Sequence, residues 1–149
     1  MPEIISNSHD ETSALGIKIA SFLCAGSVAA LNGTLGSGKT CLCKGIAQGL
    51  GITENLTSPT YTIINEYPIS SKASGNLIFY HIDAYRLNNS REFEDIGGTE
   101  ILNSGNICVI EWSERILNCL PPDTVKITLN ITGEQSRLIN IEGLEGELN

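Results

Sequence analysis

The stretch Val28-Ala29-Ala30-Leu31-Asn32-Gly33-Thr34-Leu35-Gly36-Ser37-Gly38-Lys39-Thr40-Cys41 decides the fold. Val28 to Leu31 form a short apolar run suited to a buried strand, and a helix-forming segment begins at Lys39. Between them Gly33-x4-Gly38-Lys39-Thr40 matches the G-x-x-x-x-G-K-[ST] phosphate loop, with strand before and helix after. Glycines permit a tight turn in which successive N–H groups converge on phosphate oxygens. The helix that follows points its positive end at the same anion. In this pattern Lys39 reaches the β- and γ-phosphates and the Thr40 hydroxyl holds Mg2+. The stretch reads as a nucleoside triphosphate site.

Working outward, Ser8-His9-Asp10-Glu11 reads as a capping box, and Leu15, Ile19 and Phe22 give the helix behind it one apolar face, ending near Gly26. A strand is predicted over 27–31 and a helix over about 39–50, with Leu42, Ile46 and Leu50 on one side. Residues 61–67 form a β-rich run ended by Pro68, a polar turn containing Gly75 follows, and 77–83 reads as a mostly apolar strand ending in Asp83. Short helical pieces at 91–96 and 99–102 are split by Gly97-Gly98, and 107–110 is an apolar strand ending in Glu111. After Pro121-Pro122, alternation at Val125, Ile127, Leu129 and Ile131, a turn at Gly133-Glu134-Gln135, and Ile139 and Ile141 predict a β-hairpin with one buried face. Residues 143–149 read as a mostly polar, acidic tail. The expectation is an α/β fold: a single-domain P-loop NTPase over residues 1–149, with a central mixed sheet flanked by helices and a C-terminal β-hairpin.

Composition bounds the function. With 149 residues, 41% hydrophobic and 17% charged, the chain is an ordinary globular protein. Its formal net charge of −8 argues against a broad nucleic-acid surface, which needs clustered Lys and Arg. No apolar run approaches the ~20 residues of a membrane span. Met1-Pro2-Glu3-Ile4-Ile5 lacks the basic and apolar stretches of a signal peptide, so a cytoplasmic protein without a membrane role is expected. Five scattered cysteines, none in a C-x-x-C pair, read as buried reduced thiols rather than as a disulfide framework or zinc site. Cys41 and Cys43, two apart on a predicted helix, point to different sides.

A phosphate loop needs a second acid for Mg2+ and a group that orients water or an acceptor. Asp83 and Glu111 both lie at strand ends, where ligands of open α/β sheets bind. Thr57-Ser58-Pro59-Thr60 reads as a nucleotide-sensing switch loop, with a plain turn around Pro59 as the simpler alternative. Trp112 reads as a core or interface residue and Arg86 as a surface charge.

Several segments share one further property. Gly33 to Thr40, Ser58-Pro59-Thr60-Tyr61, His81-Ile82-Asp83-Ala84-Tyr85-Arg86-Leu87, Glu94-Asp95-Ile96-Gly97 and Ile110-Glu111-Trp112-Ser113-Glu114-Arg115-Ile116 closely resemble, in order, the motifs of the bacterial tRNA threonylcarbamoyladenosine biosynthesis ATPase family TsaE, also called YjeE. The resemblance implies a Mg2+-dependent ATPase that joins the partner proteins TsaB and TsaD in modifying tRNA adenosine with a threonylcarbamoyl group. The transfer itself belongs to TsaD, and ATP hydrolysis resets or regulates the complex. By the family pattern Thr40 and Glu111 are the Mg2+ ligands. Gly33, Gly36, Ser37, Gly38, Lys39, Thr40 and Cys41 surround the phosphates, Asp83 assists hydrolysis, and Thr60 belongs to the switch segment. Thr12, Glu114 and Arg137 fall where the family contacts the nucleotide outside its phosphates. Two departures stand out: Cys41 replaces a usual Thr or Ser, and Thr34 stands where an acid is common.

Two other readings fit a phosphate loop. A small-molecule kinase usually carries an Arg-bearing lid, and here Arg86, Arg91, Arg115 and Arg137 are scattered. A non-hydrolysing nucleotide-dependent interaction module shares the switch logic and differs only in turnover. A GTPase is weaker, because Asn7-Ser8-His9-Asp10 lacks the lysine of N-K-x-D and precedes the loop.

Overall fold

The apolar run before the phosphate loop becomes β2 (Val28–Gly33), and the rest of the sheet is arranged around it. A computed structural model describes residues 3–54, 56, 64–69 and 77–144. In chain order the other elements are β1 (Glu3–Ser6), α1 (His9–Ala20), α2 (Lys39–Gly49), β3 (Ile64–Pro68), β4 (Ile78–Asp83), α3 (Ser90–Asp95), α4 (Gly98–Leu102), β5 (Ile107–Glu111), a kinked 3₁₀ segment (Ser113–Cys119), β6 (Val125–Ile131) and β7 (Arg137–Glu142). Among the described residues the strands form one seven-stranded sheet in the order β1-β7-β6-β2-β5-β4-β3. The four central strands β6, β2, β5 and β4 run parallel, and both edges are antiparallel. This is the mixed α/β sheet that the sequence predicts, with β6 and β7 as its C-terminal hairpin.

Burial follows from the pattern of each strand. β5 is apolar at four successive positions because both of its faces are covered. Ile107 and Val109 join the core under α1 and α2, whereas Cys108 and Ile110 face the core formed with Phe93, Leu102 and Ile116. In β6 the alternation buries Val125, Ile127 and Leu129, but Ile131 is 48% exposed at the hairpin end.

Helices α1 and α2 lie unusually close together. A Cβ on Gly45 would stand 2.2 Å from the Ser13 carbonyl oxygen, and one on Gly16 would stand 2.5 Å from the Leu42 carbonyl oxygen. Glycine at these two positions lets the backbones meet, which seats α2 and so fixes the phosphate loop at its start.

Three of the differences from the predicted elements have identifiable causes. Helix α1 ends at Ala20 rather than near Gly26, because Ser21, Phe22 and Leu23 turn into i−3 bonds and the Ser21 hydroxyl donates to the Lys18 carbonyl. At its start Ser8 Oγ accepts from Glu11 N as the capping box requires, but Glu11 reaches back to Asn7 N, one residue before the cap. β1 has no sequence signal. Four residues are too few to show alternation, and its partner β7 lies at the other end of the chain. The switch segment at 57–60, the turn containing Gly75 and residues 145–149 of the tail lie outside the described residues.

Candidate functional site

The carboxyl ends of β2, β5 and β4 lie side by side, pairing Leu31 with Glu111 and Asp83 with Glu111. The loop 33–40 leaves β2 there, and the chain reverses strand order at the same point, where α/β sheets form their ligand crevice. Gly36 and Gly38 have φ of 80° and 101°, left-handed values that a side chain disfavours. Gly38 is the N-cap of α2 and offers no side-chain cap, so the first N–H groups of the helix are not satisfied by one. The loop, His9, Asp83, Tyr85, Glu111 and Trp112 line an open cleft of about 390 Å³.

Lys39 is buried in the cleft wall. Its ammonium donates to the Gly33 carbonyl and to the Thr34 carbonyl at 3.2 Å, and lies 3.8 Å from the centre of the Trp112 ring. Burial lowers its pKa below the usual lysine range, opposed by the charges of Glu111, Glu114 and Asp83. Thr40 Oγ1 donates to Glu111 Oε1 at 3.1 Å, and His81 Nε2–H donates to Glu111 Oε2 at 2.5 Å. Both oxygens of Glu111 are therefore held, one by the first turn of α2 and the other by β4. Asp83 uses Oδ1 to accept from Tyr85 N at 3.0 Å. Burial raises the Asp83 carboxyl above the usual range; the Tyr85 N–H opposes this, and the Glu111 charge adds to it. Burial also raises Glu114, opposed chiefly by Lys39. Three carboxyl groups around one ammonium leave an excess of negative charge at the mouth of the loop. Such a site attracts a divalent cation.

The remaining candidates fall on two sides. Arg137 in β7 braces the loop from behind: Nε donates to the Ser37 carbonyl at 3.1 Å and Nη2 to the Gly36 carbonyl at 3.1 Å. Thr12, whose hydroxyl pairs with Ser6 at 2.7 Å, shares a small cleft with Arg137 and Gly38. Glu114 lies apart from them, near Lys39. With its nitrogen turned inward, the Asn32 amide donates to Ser113 Oγ, to Glu114 Oε2 at 3.2 Å and to the Leu31 carbonyl at 3.2 Å. The Cys41 thiol donates to the His9 carbonyl at 3.3 Å on the cleft rim, while Cys43 on the other side of α2 is fully buried. The buried Ser37 Oγ has no partner among the described residues. Thr60 lies outside the described residues.

Sequence reasoning missed three contributors. Trp112 packs against the core formed with Ile110 and Ile116, as a core reading expects, but it is also part of the cleft wall. It is the one non-glycine residue among the described residues with positive φ, 59°, and that turn lays its ring against Lys39 and Tyr85. His81 opens the segment 81–87 that carries the family resemblance, yet it receives no role from the sequence; it lies two residues before Asp83 in β4, on the opposite register to the apolar Ile82. Cys43 lacks even that, since a buried cysteine on a helix reads as core.

Comparison with known proteins shows the family and the fold. The family model described as "Threonylcarbamoyl adenosine biosynthesis protein TsaE" matches residues 6–139. The "tRNA threonylcarbamoyladenosine biosynthesis protein TsaE" of Treponema pallidum is 42% identical over 137 residues, covering 92% of this chain and 97% of that one. The protein of the same name from Bacillus subtilis is 40% identical over 130 residues, covering 87% and 78%. The crystal structure of Bacillus subtilis YdiB superposes with a TM-score of 0.74 at 30% identity, covering 97% of this chain and 86% of that one.

Proposed function

The chain belongs to the TsaE family, and from that premise we propose that it serves tRNA N6-threonylcarbamoyladenosine biosynthesis as a Mg2+-dependent ATPase. In this reading ATP binding and hydrolysis form a nucleotide-driven switch on a partner complex of TsaB and TsaD type. The net charge of −8 leaves tRNA contact mainly to those partners. Among the described residues no helix is long and apolar enough to cross a membrane, and the protein acts in the cytoplasm.

The observation that carries the reading is the Thr40–Glu111 hydrogen bond beside Lys39. It joins a hydroxyl and a carboxylate, hard oxygen donors that fit Mg2+. Thr40 and Glu111 would hold that ion, which when bound offsets charge on the β- and γ-phosphates. The N–H groups of residues 36–41 cradle the phosphates, and Lys39 leaves the Gly33 and Thr34 carbonyls to reach them. Because both Glu111 oxygens are engaged, Asp83 is the better group to orient the attacking water. Its Oδ2 carries no hydrogen bond among the described residues. Arg137 fixes the loop carbonyls and keeps their N–H groups facing the anion.

Phosphate release from Mg-ATP, measured with and without TsaB- and TsaD-type partners, tests the proposal. Slow turnover alone and faster turnover with partners are expected. Tight ATP binding without turnover under any condition favours an interaction module, and steady phosphorylation of a small acceptor favours a kinase.

His81 also gains a defined role, as the residue that positions Glu111. His81→Gln is expected to raise the Mg2+ concentration for half-maximal turnover by about tenfold, as loss of a group that orients a metal ligand does. Metal-free nucleotide binding should change little. An unaltered Mg2+ dependence in a folded variant would remove His81 from the site.

A further inference from the structure

Behind the Thr40–Glu111 pair lies a donor set that ATP chemistry does not require. Cys43 from α2, His81 from β4 and Glu111 from β5 are 0%, 0% and 3% exposed. The Cys43 thiol, a His81 ring nitrogen and a Glu111 carboxylate oxygen lie within 4.8 Å of one another. The His81 ring is under-used where it sits: Nε2 serves Glu111, but the buried Nδ1 has no hydrogen-bond partner among the described residues. A sulfur, an imidazole and a carboxylate converging from three elements differ in kind from the oxygen pair beside them.

We propose that this cluster is a binding site for a thiophilic divalent cation, typified by Zn2+, which competes with Mg·ATP for Glu111. The donor set selects the metal. Thiolate and imidazole suit Zn2+, whereas Mg2+ demands six oxygen donors in an octahedron. Donors to one tetrahedral zinc lie about 2.0–2.3 Å from it, hence about 3.3–3.7 Å apart, so separations of up to 4.8 Å need adjust by about 1–1.5 Å. Binding forms a Zn–S bond and releases the Cys43 thiol proton to solvent. Glu111 also lines the phosphate-loop cleft, which gives the ion its route inward. An ion held here draws Glu111 toward Cys43 and His81 and away from Thr40. Only that competition rests on the proposed ATPase reading; metal uptake does not.

The full chain, free of nucleotide, is loaded with Zn2+ or Co2+ and desalted. About one Zn2+ per chain should be retained, and Cys43→Ser, checked for folding by circular dichroism, should weaken retention by at least about tenfold. The Co2+ form of the unsubstituted chain should show thiolate-to-metal charge-transfer absorption in the near ultraviolet, absent in Cys43→Ser. Because the first half of this measurement needs no variant, misfolding of Cys43→Ser cannot mask the result. A Co2+ complex without that band, or equal zinc retention by folded Cys43→Ser, overturns the site. Saturating Mg·ATP should weaken Zn2+ binding by at least about tenfold. Retention with undiminished affinity would overturn the sharing of Glu111, whereas absence of ATP binding would instead count against the proposed function.

Discussion

Glu111→Ala is expected to lower Mg2+-dependent ATP turnover by about a hundredfold or more while changing nucleotide affinity only a few-fold. Glu111 stands at the end of the central strand β5, is 3% exposed, and accepts from both Thr40 and His81. On the proposed function, removing it takes away an oxygen that would hold the metal where charge is stabilised on the transferring phosphoryl group. Loss of about 3 kcal/mol of such stabilisation corresponds to about two orders of magnitude in rate. On the same proposal phosphate binding depends on the loop N–H groups and Lys39, which Glu111 does not build, so affinity should largely survive. Glu111→Gln separates charge from shape, because the amide oxygen can still accept from Thr40. If charge is what matters, both variants lose turnover. Turnover within about threefold of the unsubstituted chain, measured by phosphate release at saturating Mg-ATP, would sink the assignment of Glu111.

The second large effect is structural. An exposed glycine inside a helix is normally improved by alanine, by about 1 kcal/mol. At Gly45 the opposite is expected. The added Cβ would meet the Ser13 carbonyl oxygen at 2.2 Å and the Ser13 carbonyl carbon at 3.0 Å, and these are backbone atoms that no rotamer change can move aside. Gly45→Ala must separate α1 from α2, with a loss of about 2 kcal/mol from overpacking and a fall in Tm of about 4–8 °C. Because α2 begins at Lys39 and Thr40, the shift should also weaken nucleotide binding. Thermal unfolding by circular dichroism decides the matter. An equal or higher Tm would mean that the helices do not meet at Gly45.

The parts of this protein legible in the sequence are those whose cause is local. The phosphate loop is contiguous, and its geometry follows from glycines at fixed spacing, so its residues declare themselves in order. Strands β2 and β5 announce themselves as continuous apolar runs, and β6 by alternation. The placement of Glu111 was foreseeable in outline, since an acid at a strand end faces the ligand side of such a sheet. The resemblance then singled it out from Asp83.

Other features required distant segments to meet. Arg137 lies 100 residues from Ser37 in the chain and reaches it because the hairpin returns β7 to the same end of the sheet. Trp112 enters the cleft through a left-handed backbone that a bulky residue rarely adopts, against what its apolar character suggests. Nothing in their spacing unites Cys43, His81 and Glu111; parallel pairing of β4 with β5, and the seating of α2 over them, does. By itself, then, the sequence determined the phosphate loop, the kind of sheet and the acids available to it, because short-range spacing and turn chemistry dictate those. Only the tertiary structure decided which acid meets Thr40, what holds that acid in place, and which buried donors surround it, because strand register and helix contact set those distances.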